Sequence, residues 1–272
     1  MIPPVVTAAW LEDHRDRVVF ADVRWYLDGR SGHQAFLAGH LPGARFVDLE
    51  RWLAARADPA LGRHPLPDPE VFAEGMRRLG VDDGDAVVGY DDAGGTVAAR
   101  LVWMLRATGH DAALLDGGIA AWAGPLERGR GAVVRPGGFT TAPWPPQRLV
   151  QLDDLDGLDG VLVDARAGER YRGETEPVDP RAGHIPGARS LPCRDNLATD
   201  GTFLPPGEIR RRFESVGVRN GEELVCYCGS GVTACHDLLA AEHAGIGTGR
   251  LFAGSWSQYS HTDRPAATGE EG

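Results

Sequence analysis

Lysine is absent from this 272-residue chain, so all 28 of its basic side chains are arginine. That absence excludes a Schiff-base lysine, a phosphate-loop lysine and a pyridoxal anchor together. Cysteine is scarce. Three of the four, Cys226, Cys228 and Cys235, crowd one loop, and Cys193 stands apart. A chain of this length needs no disulfide framework. No apolar run is long enough to span a bilayer, and Met1 to Arg17 lacks the apolar core of an export signal. Long runs of basic residues are missing too, and the net charge is −11, which argues against nucleic acid or an anionic membrane surface as partner. The expectation is a monomeric cytoplasmic protein with no nucleic-acid or membrane partner.

What is present is a repeat. The stretch from Leu79 to Asp91 runs without a gap against Val216 to Cys228, with Leu79-Gly80-Val81 answering Val216-Gly217-Val218. The same register sets Gly94 on Gly231, Thr96 on Thr233 and Gly117 on Gly254. Earlier, Asp22-Val23-Arg24 answers Asp164-Ala165-Arg166, and His40-Leu41-Pro42-Gly43-Ala44 answers His184-Ile185-Pro186-Gly187-Ala188. Two copies of one fold follow. Within each copy, short apolar runs (18–21 and 161–163) read as buried strands. Residues 69–79 and 206–216 read as helices, since Phe72, Met76 and Leu79, and Ile209, Phe213 and Val216, recur at helical spacing. Gly80 and Gly217 stand where a helix stops. Alternating strands and helices predict an α/β fold, each copy a mostly parallel sheet with helices on both faces.

One segment carries chemistry. Cys228-Gly229-Ser230-Gly231-Val232-Thr233 follows the apolar run 224–227 and leads into a helical stretch, 234–243. Small residues leave backbone N–H groups accessible, and several such groups with a helix N-terminus aimed at one sulfur stabilise the thiolate, the nucleophilic form. The matching position of the first copy is Asp91. A carboxylate cannot replace a sulfur nucleophile, so one site is expected, in the C-terminal half.

Two halves with Asp-x-Arg and His-x-Pro-Gly-Ala, and a loop cysteine only in the second, resemble the tandem rhodanese family of sulfurtransferases. The resemblance spans nearly the whole chain and rests on the ordered set of motifs. It implies a cysteine-free rhodanese-like domain at 1–124, a linker rich in Gly, Pro and Arg at 125–147, and a catalytic rhodanese-like domain at 148–272. The loop is similar to that of the family's mercaptopyruvate-specific members, whereas thiosulfate-preferring members carry basic residues directly after the cysteine. The resemblance implies that Cys228 takes sulfur from the donor as a persulfide and yields it to cyanide, a thiol or a thioredoxin-like protein. It puts Arg170 and Arg181 on the donor's carboxylate and carbonyl, with Gly229, Gly231, Val232 and Thr233 as the binding loop. Ser230 would share a proton relay with a histidine of the first copy, which matches His40. No cofactor or metal is implied.

Three rival readings differ in the residues they require. A thiosulfate sulfurtransferase would use the same thiol with another donor. A phosphatase on this fold needs a longer loop ending in arginine, whereas Ala234 follows Thr233 here. A non-catalytic module would fit the cysteine-free first copy but not the intact second loop. Arg24 and Arg166 read as structural partners of Asp22 and Asp164, and Cys193, Cys226 and Cys235 as packed thiols.

Overall fold

The apolar runs form the central strands of two separate five-stranded sheets in the computed structural model, which describes residues 1–131 and 133–270. The first sheet is built from β1 (Val5–Val6), β2 (Val18–Asp22), β3 (Arg45–Phe46), β4 (Ala86–Tyr90) and β5 (Ala112–Leu115), in the spatial order β1-β5-β4-β2-β3. The second is built from β6 (Leu149–Val150), β7 (Val161–Asp164), β8 (Arg189–Ser190), β9 (Leu224–Tyr227) and β10 (Arg250–Phe252), in the order β6-β10-β9-β7-β8. Every strand pairing is parallel. Counted from its own first strand, each sheet has the same order, as a duplication requires. The central strands are covered on both faces, which is why β9 is apolar throughout and buried throughout.

Helices α1 (Ala8–His14), α2 (Gly32–Ala38), α3 (Pro69–Arg78) and α4 (Ala99–Ala107) flank the first sheet. Helices α5 (Gly168–Tyr171), α6 (Pro206–Ser215), α7 (Ala234–His243) and α8 (Ser255–Tyr259) flank the second. The periodic residues Phe72 and Met76 on α3, and Ile209 and Phe213 on α6, are the buried ones. Asp68 caps α3 by accepting the Glu70 N–H, with Pro69 in the first turn. Helices α4 and α7, which follow β4 and β9, are buried on nearly every side, so the loop entering each is held by packing at both ends.

The repeated motifs do the same structural work twice. Arg24 binds Asp22 and donates to the Gly39 carbonyl, and Arg166 binds Asp164 and donates to the Gly183 carbonyl.

Two units emerge, and they are not continuous in sequence. Unit 1 gathers Met1–Ala55, Pro67–Trp144 and Thr199–Phe203, while unit 2 gathers Arg56–Leu66, Pro145–Ala198 and the chain from Leu204 onward. Residues 125–144, read from the sequence as linker, therefore cluster with unit 1. Glu127 pairs with His40 through the backbone, Gly129 donates to the Leu37 carbonyl, and buried Phe139 meets Phe72 edge-on. Residues 56–66 depart further: they come from the N-terminal half and belong to unit 2. Among the described residues no helix is long and apolar enough to cross a membrane.

Candidate active site

Cys228 leaves the end of β9 and is 2% exposed. Its loop is fastened to the start of α8: Trp256 N–H donates to the Cys228 carbonyl (2.9 Å), Ser257 N–H donates to the Gly229 carbonyl (2.8 Å), and Cys228 N–H donates to Ser255 Oγ (3.1 Å). Ser255 holds φ +54°, a conformation that side-chain-bearing residues rarely adopt. The chain then curls at Gly231, whose N–H donates to Cys228 Sγ at 3.1 Å. Gly231 has φ +74°, and a Cβ there would lie 2.5 Å from the Ala253 carbonyl oxygen. Only glycine fits, and the curl is what turns an N–H toward the sulfur.

Unit 1 shows what this strand–loop–helix joint does to a negative group. Asp91, the counterpart of Cys228, is fully buried. Its Oδ1 accepts from the N–H groups of Ala93 and Gly95, and its Oδ2 from those of Val97 and Ala98, at 2.8 to 2.9 Å. Burial pushes the Asp91 carboxyl up, and those four donors pull against the rise. The joint aims four N–H donors at one acidic group, and burial outweighs them in the net shift.

Ser230, two residues after the cysteine, shares a 2.8 Å hydrogen bond with His64 Nδ1, both side chains being buried. His64 is held by the 56–66 segment, where Arg63 N–H donates to Ser257 Oγ (2.9 Å) and Gln258 Nε2 to the Ala60 carbonyl (2.6 Å). Arg170, on α5, reaches the same loop. A methyl group built on Gly229 would lie 3.4 Å from its Nη1 and 3.1 Å from Nη2 of Arg63. Arg170 is oriented by Glu176 (2.6 Å) and Asp179 (3.2 Å).

The Rhodanese-like domain family matches this chain twice, at residues 7–125 and 146–262, once over each sheet. The chain belongs to that family. Among its relatives, a Pseudomonas aeruginosa protein named "Probable 3-mercaptopyruvate sulfurtransferase" is 45% identical, with 92% of each chain covered. The human 3-mercaptopyruvate sulfurtransferase is 38% identical over 92% of this chain and 88% of its own. A Mycobacterium tuberculosis protein, SseB, named for thiosulfate sulfurtransfer, is 42% identical over 93% of this chain and 92% of its own. Of solved structures, 3-mercaptopyruvate sulfurtransferase from Leishmania major superposes with a TM-score of 0.87 at 31% identity, covering 97% of this chain and 75% of that one. SseA from Escherichia coli, a 3-mercaptopyruvate sulfotransferase, gives 0.80 at 32% identity, covering 94% and 99%.

Within this rhodanese-like chain, two residues expected at the site are held by other partners. His40 is fully buried in unit 1, donating through Nδ1 to the Phe36 carbonyl (2.8 Å) and stacked on the Phe36 ring. His184 repeats that arrangement on Tyr171. Both are turn-building histidines, and the histidine at Ser230 is His64. Arg181 is bolted to the C-terminal chain, its Nη1 on the Arg264 carbonyl and its Nη2 on the Tyr259 carbonyl. Arginine at the loop instead comes from Arg63. Cys228, Ser230, Arg170 and the loop residues Gly229, Gly231, Val232 and Thr233 are brought together as expected. His64 left one trace in the sequence: at the repeat register it faces Gly201, an asymmetry like that of Cys228 with Asp91.

The other thiols are buried too. Burial pushes the thiols of Cys193 and Cys226 well up, and Cys235 Sγ donates to the Gly231 carbonyl. Behind the loop, buried Asp237 on α7 accepts from Asn196 Nδ2 at 2.7 Å, and burial pushes its carboxyl well up.

Proposed function

We propose that this chain is a sulfurtransferase that takes sulfur from 3-mercaptopyruvate onto Cys228 and passes it to a thiol or cyanide. The observation that carries this reading is the Gly231 N–H donated to Cys228 Sγ, with the Ser230–His64 hydrogen bond beside it. The Cys228 thiolate attacks the donor's sulfur, an S–S bond forms and the donor's C–S bond breaks. The released electron pair stays on carbon as the enolate of pyruvate, which takes a proton. Ser230 Oγ, backed by His64 Nδ1, is the group placed to deliver it. The outer sulfur keeps a negative charge that the loop amides stabilise, as an oxyanion hole does. A nucleophilic acceptor then attacks that outer sulfur and regenerates the thiolate, completing two-step covalent catalysis.

A second reading, with thiosulfate as donor, is favoured by the two guanidinium groups that close on Gly229. They bring positive charge to the place where thiosulfate-preferring relatives carry it in the loop itself.

Incubation with excess 3-mercaptopyruvate is expected to add the mass of one sulfur atom per chain, and Cys228→Ser to abolish the gain. Equal loading of the serine variant would end the enzymatic account. Steady-state rates with each donor and cyanide are expected to give the higher kcat/KM for mercaptopyruvate, and a clear preference for thiosulfate would select the second reading.

A further inference from the structure

Unit 1 has no sulfur nucleophile, yet it holds a cavity of about 490 Å³, within the size range of small-molecule sites. Its walls come from β3, the turn at 48–52, α3 and residues 130 and 134. Among the described residues, Arg45, Arg51, Arg78 and Arg130 line it against a single carboxylate, Asp48. That balance reverses the sign of the whole chain, which carries −11.

Most of these cations are held without being neutralised. Asp48 spends its Oδ1 on the Arg51 backbone N–H (3.2 Å), capping the turn. Among the described residues, the guanidinium groups of Arg51 and Arg130 meet no carboxylate, and that of Arg51 lies over the Trp52 ring at 4.5 Å. Arg45 gives Nη1 to the Leu79 carbonyl, while its Nε is buried without a partner. Burial pulls this guanidinium down from its ordinary range, opposed by the charge of Asp85. Arg78 differs, since Glu74 lies 2.7 Å from its Nε.

Trp52 organises the wall. Arg78 also lies over its ring, at 5.7 Å, and a Cβ on Gly75 would stand 2.9 Å from its Cγ. Glycine at 75 is what seats the indole against α3. Leu49–Leu53 is a single π-helical turn, a rare geometry that concentrates at functional sites.

The second copy has closed the same place. At the repeat register Gly75 answers Arg212, and counted from the ends of β3 and β8, Arg51 answers Asp195 and Trp52 answers Asn196. There Arg212 lies 3.7 Å from the Asp195 carboxylate and donates to Asn196 Oδ1 (3.3 Å). Unit 2 thus supplies its cation with an acid. Unit 1 has arginine at the acid's position and no side chain at the helix position.

We propose that this cavity of unit 1 binds a nucleoside monophosphate, its phosphate on Arg45, Arg51 and Arg130 and its base against Trp52 and Phe46. A phosphate dianion offers oxygens to several guanidinium groups at once. Bases stack on aromatic rings and on guanidinium planes alike. The site is independent of which donor charges Cys228.

Isothermal titration of the full chain with adenosine monophosphate (AMP), adenosine and inorganic phosphate tests this. AMP is expected to bind about tenfold or more tighter than adenosine or inorganic phosphate, because it alone combines stacking with charge-assisted bonds. Its affinity should fall as salt rises. Arg51→Gln and Arg130→Gln, both changing exposed side chains, should each weaken AMP about tenfold. Thermal melts and persulfide loading of Cys228 should stay those of the wild type in both. Arg170→Gln should leave AMP binding unchanged. Failure of AMP to bind, or binding that Arg51→Gln and Arg130→Gln leave untouched, overturns the proposal. So does inorganic phosphate binding as tightly as AMP. A loss confined to Arg170→Gln would put the nucleotide at the Cys228 site and overturn it as well.

Discussion

The proposed relay of His64 and Ser230, joined by one hydrogen bond, makes the two donors distinguishable. Mercaptopyruvate releases the enolate of pyruvate, which needs a proton, whereas thiosulfate releases sulfite, which needs none. His64→Asn is therefore expected to lower kcat for mercaptopyruvate about 100-fold, the scale of general acid catalysis. Turnover with thiosulfate should stay within a few-fold, and rapid-quench persulfide formation with each donor would measure both. Equal losses would remove His64 from the relay. Asp237 gives a stability prediction with a definite sign. Burial holds its carboxyl well above the ordinary carboxylate range, although the Asn196 hydrogen bond opposes this. The unfolded chain loses that proton first, so the contribution is fully present below the unfolded pKa and is lost as pH rises through the folded one. Asp237→Asn, which mimics the protonated acid, should melt with the wild type at about pH 4 and increasingly above it toward neutrality. At this scale the sequence showed the residues that are neighbours along the chain. Cys228 and Ser230 announce themselves by their loop, but His64 and Arg63 come from an aperiodic stretch far along the chain. Nothing in local pattern says that such a stretch will meet residue 230.

The unit of function is the joint of strand, loop and helix, present as β4 into α4 and as β9 into α7. Asp91 fills the first joint with its own carboxylate, satisfying four amides that would otherwise be buried without acceptors. Asp91→Asn conserves shape but turns an NH2 group toward two N–H donors. It is expected to destabilise unit 1 by about 1–3 kcal/mol, read as a lower midpoint in thermal or denaturant unfolding. An unchanged midpoint would mean that the amides find other acceptors. Elements were the most legible level, since α3, α6 and β9 follow from apolar spacing and from proline at a helix start. Residues 125–144 were not. Their anchors are isolated bonds, such as Asp82 accepting from Gly138 N–H and Asp83 from Thr140, and such bonds leave no periodic signature.

On the scale of the whole molecule, the duplication is visible both as repeated motifs and as two sheets of one strand order. The exchange of short segments is visible only in three dimensions. Residues 56–66 and 199–203 occupy similar places in their copies, each in the stretch before α3 or α6, and each joins the unit built by the opposite half. The duplication accounts for both transfers.

That exchange makes the chain chemically indivisible. A fragment beginning at Pro145 would carry the nucleophile and its loop, yet would leave behind the imidazole and the guanidinium contributed by residues 63 and 64. On the proposed reading, the half with aspartate at position 91 is needed by the half with the cysteine.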